Sequence, residues 1–265
     1  MSMNNITPWK KMEIIRHKNR PTIRDYLPMI FEDFYEMHGD RLYGDDGAII
    51  GGIGRLRGMP VTIIAEVKGR DLNENKQSNF AMPHPEGYRK ALRLAKQAEK
   101  FKRPVICFID TPGAFCGIEA EKRGQGEAIA RNLFEFMTLK TPVVSVVLGE
   151  GGSGGALALA VADRVWMLEN AVYSVISPEG CASILWKDAK QAETAAASLK
   201  LTAKDALRFG VIERILPEKD MGKQPFYDRI AAALKTELDA LSRDPDLIAK
   251  RYARFRGLGA VEESK

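Results

Sequence analysis

Five glycines lie within seven residues, from Gly149 to Gly155, and this stretch has the clearest potential for chemistry. Without side chains around them, the backbone N–H groups are open to a ligand. The stretch follows an apolar β-branched run, residues 143–148, and precedes an alanine- and leucine-rich run. N–H groups at a helix start point outward, with the positive end of the helix dipole behind them. A strand, a glycine turn and a helix start therefore predict an anion site.

The spacing of these glycines leaves the kind of anion open. Gly149, Gly151 and Gly154 match the dinucleotide-binding fingerprint, and Glu169 lies where a ribose-binding carboxylate is expected. A dinucleotide-binding oxidoreductase is therefore one candidate. The P-loop is excluded because Gly155 occupies the position of its lysine. A purely structural turn is disfavoured, since each glycine costs about 0.5–1 kcal/mol of folding entropy.

The composition of the chain restricts its class. Its 265 residues are 45% hydrophobic and 28% charged, which suits one large domain or two small ones. It has no apolar run of about 18 residues and no apolar leader, so we expect no membrane association and a cytoplasmic location. Three cysteines without C-x-x-C spacing favour a reducing compartment and predict no metal site in this chain.

Basic residues concentrate between Lys68 and Arg103, although the net charge of the chain is only +5. This segment is interpreted either as a solvated helix face or as a surface for phosphate groups or an acidic protein. Few aromatic residues are interleaved with the cations, and no RNA-recognition motif accompanies them, so we expect no nucleic-acid partner. Nucleic-acid binding through Lys90, Arg93 and Lys96 is the weakest alternative.

Three runs with the same pattern indicate how the chain is organised. Residues 59–67, 103–110 and 141–149 each place a proline before a β-branched stretch, with a repeat of roughly forty residues. A strand is predicted at 48–56, joined to the first run by a hairpin turn at Gly58-Met59-Pro60, and another strand is predicted at 211–216. Helices are predicted at 85–102, 119–139, 154–162, 178–187 and 202–209. The pattern predicts stacked β-β-α or βαβ units.

The two ends of the chain have a different pattern. Residues 22–38 predict an amphipathic helix that is ended by Gly39. Residues 225–256 predict a polar helical stretch followed by a charged tail. Such terminal helices either pack on a neighbouring subunit or cap the core.

Three motifs, in order along the chain, carry a resemblance to a known family. They are Ile109-Asp110-Thr111-Pro112-Gly113-Ala114, the stretch from Gly149 to Leu157, and the stretch from Tyr173 to Trp186. Residues 68–70, 82–93 and 129–133 support them. Over residues 20–217, the chain resembles the alpha subunits of bacterial acetyl-CoA carboxylase carboxyltransferases.

The resemblance implies an α/β fold of the crotonase (ClpP-like) type, a superhelix of β-β-α units with terminal helical arms. It implies an N-terminal helical arm at residues 1–39 and a crotonase-like carboxyltransferase core at 40–220. A C-terminal helical arm and tail would cover residues 221–265.

The resemblance also implies a reaction and its partners. A carboxyl group moves from carboxybiotin, held on a separate biotin carboxyl carrier protein, to acetyl-CoA, which gives malonyl-CoA for fatty-acid biosynthesis. The chain would act only with a beta subunit that carries a zinc ribbon, in an assembly of two alpha and two beta subunits. Biotin carboxylase would complete the complex.

The resemblance assigns the backbone N–H groups of Gly154 and Gly155 to an oxyanion hole for the biotin oxygen. No histidine or aspartate base is needed, because the ureido nitrogen of biotin can take the methyl proton of acetyl-CoA. Further substrate or biotin contacts are expected from Gly113, Ala114, Gly151, Gly152, Ser177, Pro178, Glu179 and Gly180.

Other polar residues are interpreted as structural. His84 is predicted to make loop contacts rather than to act as a base, and Asp110 is predicted to fix its loop rather than to carry a proton. Cys116 is not predicted to be a nucleophile. Phe115 and Cys116 replace the tyrosine and proline that are common in the family, which affects the expected pocket wall but not the reaction.

Overall fold

The computed structural model describes residues 6–259, and in this part of the chain eight strands form one mixed sheet. The strands are β1 (Glu32–Glu36), β2 (Ile49–Leu56), β3 (Met59–Glu66), β4 (Val105–Thr111), β5 (Val143–Gly152), β6 (Arg164–Leu168), β7 (Val172–Ser174) and β8 (Arg214–Leu216). The order across the sheet is β1-β2-β3-β4-β5-β6-β8, and β7 pairs with the end of β5. The first three strands are antiparallel, and the others are parallel.

Helices cover the sheet and connect its parallel strands. They are α1 (Pro8–Arg16), α2 (Ile23–Ile30), α3 (Leu72–Gln77), α4 (Pro85–Lys100), α5 (Ile118–Lys122), α6 (Gln125–Met137), α7 (Ser153–Ala160), α8 (Pro178–Trp186), α9 (Ala192–Leu199), α10 (Ala203–Arg208), α11 (Gln224–Leu241) and α12 (Leu247–Gly257). Within residues 6–259, none of them is both long enough and apolar enough to cross a membrane.

The predicted β-β-α repeat is confirmed by the β2–β3 hairpin, which is followed by α4 and then by β4. The hairpin turns at Arg57 and Gly58, which both have positive φ angles, +50° and +78°. β4 is buried along its whole length. Parallel strands that are covered on both faces favour such continuous apolar runs, which is why the proline-led runs were recognisable as strands.

The predicted helix over residues 22–38 is wrong in its second half. α2 ends at Ile30, Phe31 is extended at φ −116°, and the chain continues as β1. Backbone pairing of β1 with β2 satisfies the N–H and C=O groups that a longer helix would have satisfied internally. The apolar spacing of residues 31–34 is compatible with either structure, and tertiary pairing decides between them.

Two other predicted helices are interrupted. Residues 119–139 form α5 and α6, because Gly124 between them takes φ +82°. Residues 225–256 form α11 and α12, which are separated by a turn containing Pro245. β6 and β7 were not predicted from the sequence.

The C-terminal helices pack on the core. Arg251 of α12 is 1% exposed and donates to both carboxylate oxygens of Asp163, at 2.9 and 2.7 Å. Its remaining donors reach the carbonyls of Phe136, Leu139 and Thr141. These contacts place α12 beside the end of α6 and the start of β6. The division of the chain into an N-terminal arm, a core and a C-terminal arm, with boundaries at residues 39 and 220, stays a prediction.

Candidate active site at the glycine turn

β5 passes directly into α7, so Gly149, Gly151 and Gly152 lie inside a strand rather than in a loop. The chain turns at Ser153, whose φ of +55° is uncommon for a residue with a side chain. No side chain caps α7, and the N–H groups of Gly154 and Gly155 have no acceptor among the described residues. Both N–H groups are therefore available to a ligand.

The three glycines within β5 are required by packing inside the protein. A Cβ on Gly149 would collide with the Asp110 carboxylate, and one on Gly152 would collide with the Pro112 carbonyl. A Cβ on Gly151 would meet a tyrosine ring of β7 at 2.9 Å. The missing side chains of these three glycines therefore admit other parts of this chain, and the expected ligand contacts of Gly151 and Gly152 stay a prediction.

The two glycines at the start of α7 differ from each other. A Cβ on Gly155 would lie 2.5 Å from the Ala114 nitrogen and 2.9 Å from the Tyr88 hydroxyl, so this side of the helix is closed. A Cβ on Gly154 would meet only Ile129, at an ordinary distance of 3.7 Å. The open side of α7 is thus the Gly154 side, and the closed side is the Gly155 side.

The loop after β4 brings a third free N–H group to the closed side. The Thr111 hydroxyl accepts the Gly113 N–H at 3.0 Å and donates to the Gly113 carbonyl at 2.8 Å. Gly113 takes φ +149°, which favours glycine there. In the described part of the chain, the N–H of Ala114 has no acceptor. The structure therefore brings Gly113 and Ala114 next to Gly155, and their predicted contact with a ligand stays a prediction.

A cavity of about 440 Å³ lies on the open side of α7. Its walls are mainly apolar and include Leu157, Val175 and Phe255, and Gly154 and Tyr173 also line it. Burial raises the pKa of Tyr173 to about 12, so its hydroxyl stays protonated at neutral pH. The arrangement suits a ligand with an apolar body and a polar oxygen directed toward the start of α7.

The predicted segment from Ser177 to Gly180 forms the start of α8. The Ser177 hydroxyl caps this helix by accepting the Gly180 N–H at 3.1 Å, and Pro178 occupies the first helical turn. Glu179 accepts a hydrogen bond of 2.5 Å from Arg16. The same guanidinium donates to Glu150, at 2.9 and 2.5 Å. Arg16 of α1 therefore joins the start of α8 to the glycine segment.

The Arg16 contact also affects the charge of its partner. Partial burial acts to raise the pKa of Glu179, but the hydrogen bond and ion pair with Arg16 lower it below its ordinary value. Glu179 is therefore an anion at neutral pH. An anion here favours a structural link to Arg16 rather than a proton-transfer role.

The residues interpreted as structural have structural contacts. His84 stacks on Phe115 with ring centroids 4.2 Å apart and lies 2.8 Å from the amide nitrogen of Asn79. Asp110 accepts the Glu150 N–H at 2.9 Å and so fixes the glycine segment. No group of three potential metal ligands occurs among residues 6–259.

The basic segment is largely used within the protein. Lys90 is 1% exposed and binds Asp45, while Arg89 donates to Asp40 at 2.7 Å. Lys96 pairs with Glu135 at 2.8 Å. The burial of Lys90 therefore contradicts nucleic-acid binding through this residue, and the ion pairs favour a structural role for the segment.

Arg16 and Tyr88 were not singled out by the sequence. Tyr88 lies in the supporting motif at residues 82–93, which was a signal without an assigned role. Arg16 gave no signal, since Glu150 and Glu179 are 134 and 163 residues away along the chain. The contribution of α12 to the cavity beside Gly154 was also missed.

The fold matches that of solved carboxyltransferases. Transcarboxylase 12S, solved with methylmalonyl-coenzyme A and methylmalonic acid bound, matches 88% of this chain with a TM-score of 0.68 and 20% identity. The match covers 45% of the transcarboxylase chain, so this chain spans about half its length. At this identity the likeness establishes the crotonase-like carboxyltransferase fold, as predicted.

The family is established by the sequence. A family model described as acetyl co-enzyme A carboxylase carboxyltransferase-like matches residues 1–259. A Clostridium acetobutylicum protein named acetyl-coenzyme A carboxylase carboxyl transferase subunit alpha is 55% identical, over 98% of this chain and 97% of its own length. This chain belongs to the acetyl-coenzyme A carboxylase carboxyltransferase family.

A second relative joins two subunits in one chain. The Clostridium tetani protein named subunits beta/alpha is 56% identical over 97% of this chain, and the match covers 46% of that protein. The oxidoreductase alternative receives no support from these relatives. Its fingerprint also fails locally, because Gly149 and Gly151 lie within β5 rather than in a strand-to-helix loop.

Proposed function

We propose that this chain is the alpha half of a two-subunit carboxyltransferase of acetyl-CoA carboxylase. It transfers the carboxyl group of carboxybiotin, held on the biotin carboxyl carrier protein, to acetyl-CoA and yields malonyl-CoA for fatty-acid biosynthesis. The observation that carries the proposal is the pair of unpartnered N–H groups at Gly154 and Gly155, in a chain that matches this family over residues 1–259.

Biotin fits the open side of α7. A ureido group needs a donor for its oxygen, and its fused rings and chain need apolar walls. The cavity of about 440 Å³ provides Leu157 and Phe255 as apolar walls, and Gly154 also lines it. When bound, carboxybiotin supplies the carboxyl group and a ureido nitrogen that accepts the methyl proton of acetyl-CoA.

The part of this chain in the reaction is to stabilise negative charge. The N–H groups of Gly154 and Gly155 hold the ureido oxygen while charge develops on it, and Ala114 contributes a flanking donor. Such donors are fixed before the reaction and need no reorganisation, and removal of one costs about 3–4 kcal/mol of transition-state stabilisation. No titrating side chain of this chain is required for this role.

The other predicted contacts with substrate or biotin are supported by the structure to different degrees. Ser177, Pro178, Glu179 and Gly180 shape the biotin entrance, because Arg16 holds Glu179 beside the glycine segment. Gly151 and Gly152 are already paired with β7 and packed by neighbouring groups. We keep these two as predicted contacts, although packing accounts for their identity without a ligand.

The partners follow from the family and from the surface. The beta subunit contributes the site for the thioester oxygen and carries the zinc, in an assembly of two alpha and two beta subunits in the cytoplasm. Biotin carboxylase loads the carrier protein. Val175, Ile184 and Leu185 are 76%, 61% and 64% exposed, and such exposed apolar side chains support a partner surface at α8.

One assay tests the proposal. The chain is mixed with its beta subunit, and malonyl-CoA-dependent carboxylation of biocytin, which is biotin linked to lysine, is measured. We expect activity in the mixture and none with either subunit alone. An inactive but well-folded complex would contradict the proposal, and tight NADH binding by the isolated chain would favour the oxidoreductase instead.

A further inference from the structure

The Tyr88 hydroxyl is a buried polar group without a partner. Tyr88 lies on α4 and is 0% exposed, and its hydroxyl makes no hydrogen bond among the described residues. A buried hydroxyl that has lost its water and gained no partner destabilises the fold, and phenylalanine would fill the same space without this cost. Such a group therefore requires an explanation.

The position of the Tyr88 hydroxyl explains why it has no partner within the chain. It lies 2.9 Å from the point where a Cβ of Gly155 would stand, and the Ala114 nitrogen lies 2.5 Å from the same point. The Tyr88 hydroxyl and the Ala114 nitrogen therefore both lie against Gly155, on the closed side of α7. Neither these two donors nor the Gly155 N–H has an acceptor in the part of the chain that the structure describes.

The surroundings keep the hydroxyl in its donor form. Burial raises the pKa of Tyr88 well above its ordinary value, and the nearby Glu66 and Asp46 carboxyls raise it further. Burial likewise raises the pKa of Glu66, whose Oε1 has no partner among the described residues. The phenol therefore remains protonated throughout the neutral range and can donate to an oxyanion.

We propose that the Tyr88 hydroxyl is a side-chain donor of the oxyanion site, acting with the N–H groups of Gly155 and Ala114 on one ligand oxygen. This inference rests on the proposed function and adds a residue to its site. It gives the unpartnered hydroxyl an acceptor that is present only when substrate is bound.

The test compares two substitutions of the same kind. Tyr26 is a second fully buried tyrosine whose hydroxyl has no partner in the described chain, and its ring packs against Phe108, Phe226 and Tyr227. Tyr88→Phe and Tyr26→Phe each remove one such hydroxyl and keep the ring. Both variants are assayed in complex with the beta subunit for carboxylation of biocytin, and the Tm of each complex is measured.

We expect Tyr88→Phe to lower kcat by about 100-fold, the usual effect of losing one oxyanion donor, with no fall in Tm. Tyr26→Phe should keep wild-type kcat. Equal kcat in wild type and Tyr88→Phe would overturn the inference while leaving the proposed function intact. An inactive wild-type complex would overturn the proposed function itself and, with it, this inference.

A spectroscopic measurement provides a readout independent of turnover. A phenol that donates a hydrogen bond to a ligand shifts its ultraviolet absorption. Addition of biocytin to the wild-type complex should therefore give a tyrosine difference spectrum that is unchanged in Tyr26→Phe and smaller in Tyr88→Phe, where only the signal of Tyr173, which lines the cavity, remains. A spectrum that is unchanged in Tyr88→Phe would contradict the contact.

Discussion

The open and closed sides of α7 use the same residue type for opposite reasons. On the closed side, Gly155 has no side chain because Ala114 and Tyr88 occupy the space. On the open side, Gly154 borders a cavity of about 440 Å³, and a Cβ there would meet only Ile129. The absence of a side chain thus lets neighbouring groups pack against Gly155, whereas at Gly154 it leaves room for a ligand to approach.

The contrast between Gly155 and Gly154 separates two properties of the glycine motif, namely the fixing of the N–H donors and the access of a ligand to them. The closed side fixes the positions of the donors, since the β4–α5 loop and α4 press against the start of α7. The open side admits the ligand. A preorganised oxyanion site requires both, because donors must already be in place when charge develops and the reacting oxygen must still reach them.

The largest effect is expected from Gly155→Ala. The added methyl group would lie 2.5 Å from the Ala114 nitrogen, so either the loop or α7 must move. Overpacking of this kind costs about 1–3 kcal/mol of folding free energy. We expect loss of carboxylation activity together with a lower free energy of unfolding, measured by urea denaturation. Near wild-type activity in this variant would show that the closed side does not set donor positions.

Substitutions at Gly154 should separate activity from stability. Gly154→Leu places a side chain in the cavity, so we expect carboxylation of biocytin to be lost while the complex with the beta subunit still forms. Gly154→Ala is the control, because its methyl group has room and alanine stabilises a helix by up to about 1 kcal/mol relative to glycine. An active Gly154→Leu complex would show that the ligand does not use the open side.

The sequence was sufficient to predict the strands β3, β4 and β5, which each begin at or after a proline, and the position of the glycine site. β4 and β5 are buried, continuous apolar runs, and their pattern has few alternative structures. The Gly113 loop could also be predicted, because it follows β4 in a family motif. β1 could not be predicted, since the spacing of its apolar residues continues that of α2 and only pairing with β2 distinguishes them.

The division of the glycines into two groups could not be predicted from the sequence. Whether a glycine admits a ligand or a neighbouring backbone depends on groups that are distant along the chain, such as Asp110 for Gly149 and Tyr88 for Gly155. The hydrogen bond from Arg16 to Glu179 likewise joins residues that are distant along the chain. The same is true of the contribution of α12 to the cavity wall. Side-chain proximity across a fold is absent from local patterns, whereas backbone periodicity is present in them.

Arg16→Ala should weaken the attachment of α8 to the glycine segment of β5. The change removes the link between Glu150 and Glu179, so α8 is held less firmly beside the glycine segment. We expect a fall in kcat/KM of about ten- to a hundredfold from misplacement of the site, with at most about 1 kcal/mol of stability lost because the pair is partly exposed. Lys10→Ala removes an exposed ion pair of the same helix and serves as the control. Equal losses in both variants would assign the effect to α1 as a whole.

The smallest effect on the site is expected from Glu218→Gln. This substitution acts through Arg20 on Leu148 of β5, which precedes the glycine segment in the chain. Arg20 donates to Glu218 at 2.7 Å and to the Leu148 carbonyl at 2.7 Å. Burial acts to raise the pKa of Glu218, but hydrogen bonds from Arg20 and Asn170 lower it below its ordinary value.

Because the pKa of Glu218 is lower in the folded state, its contribution to stability is complete above the unfolded value of about 4.3 and is lost as the pH falls through the folded value. Glu218→Gln should therefore lower the free energy of unfolding at neutral pH by about 1–3 kcal/mol, since a buried charged hydrogen bond is lost.

The same variant should lose less stability than wild type when the pH falls from neutral to values below the carboxyl range. Urea denaturation across that pH range measures this difference. Parallel curves for the two proteins would place the acid sensitivity elsewhere.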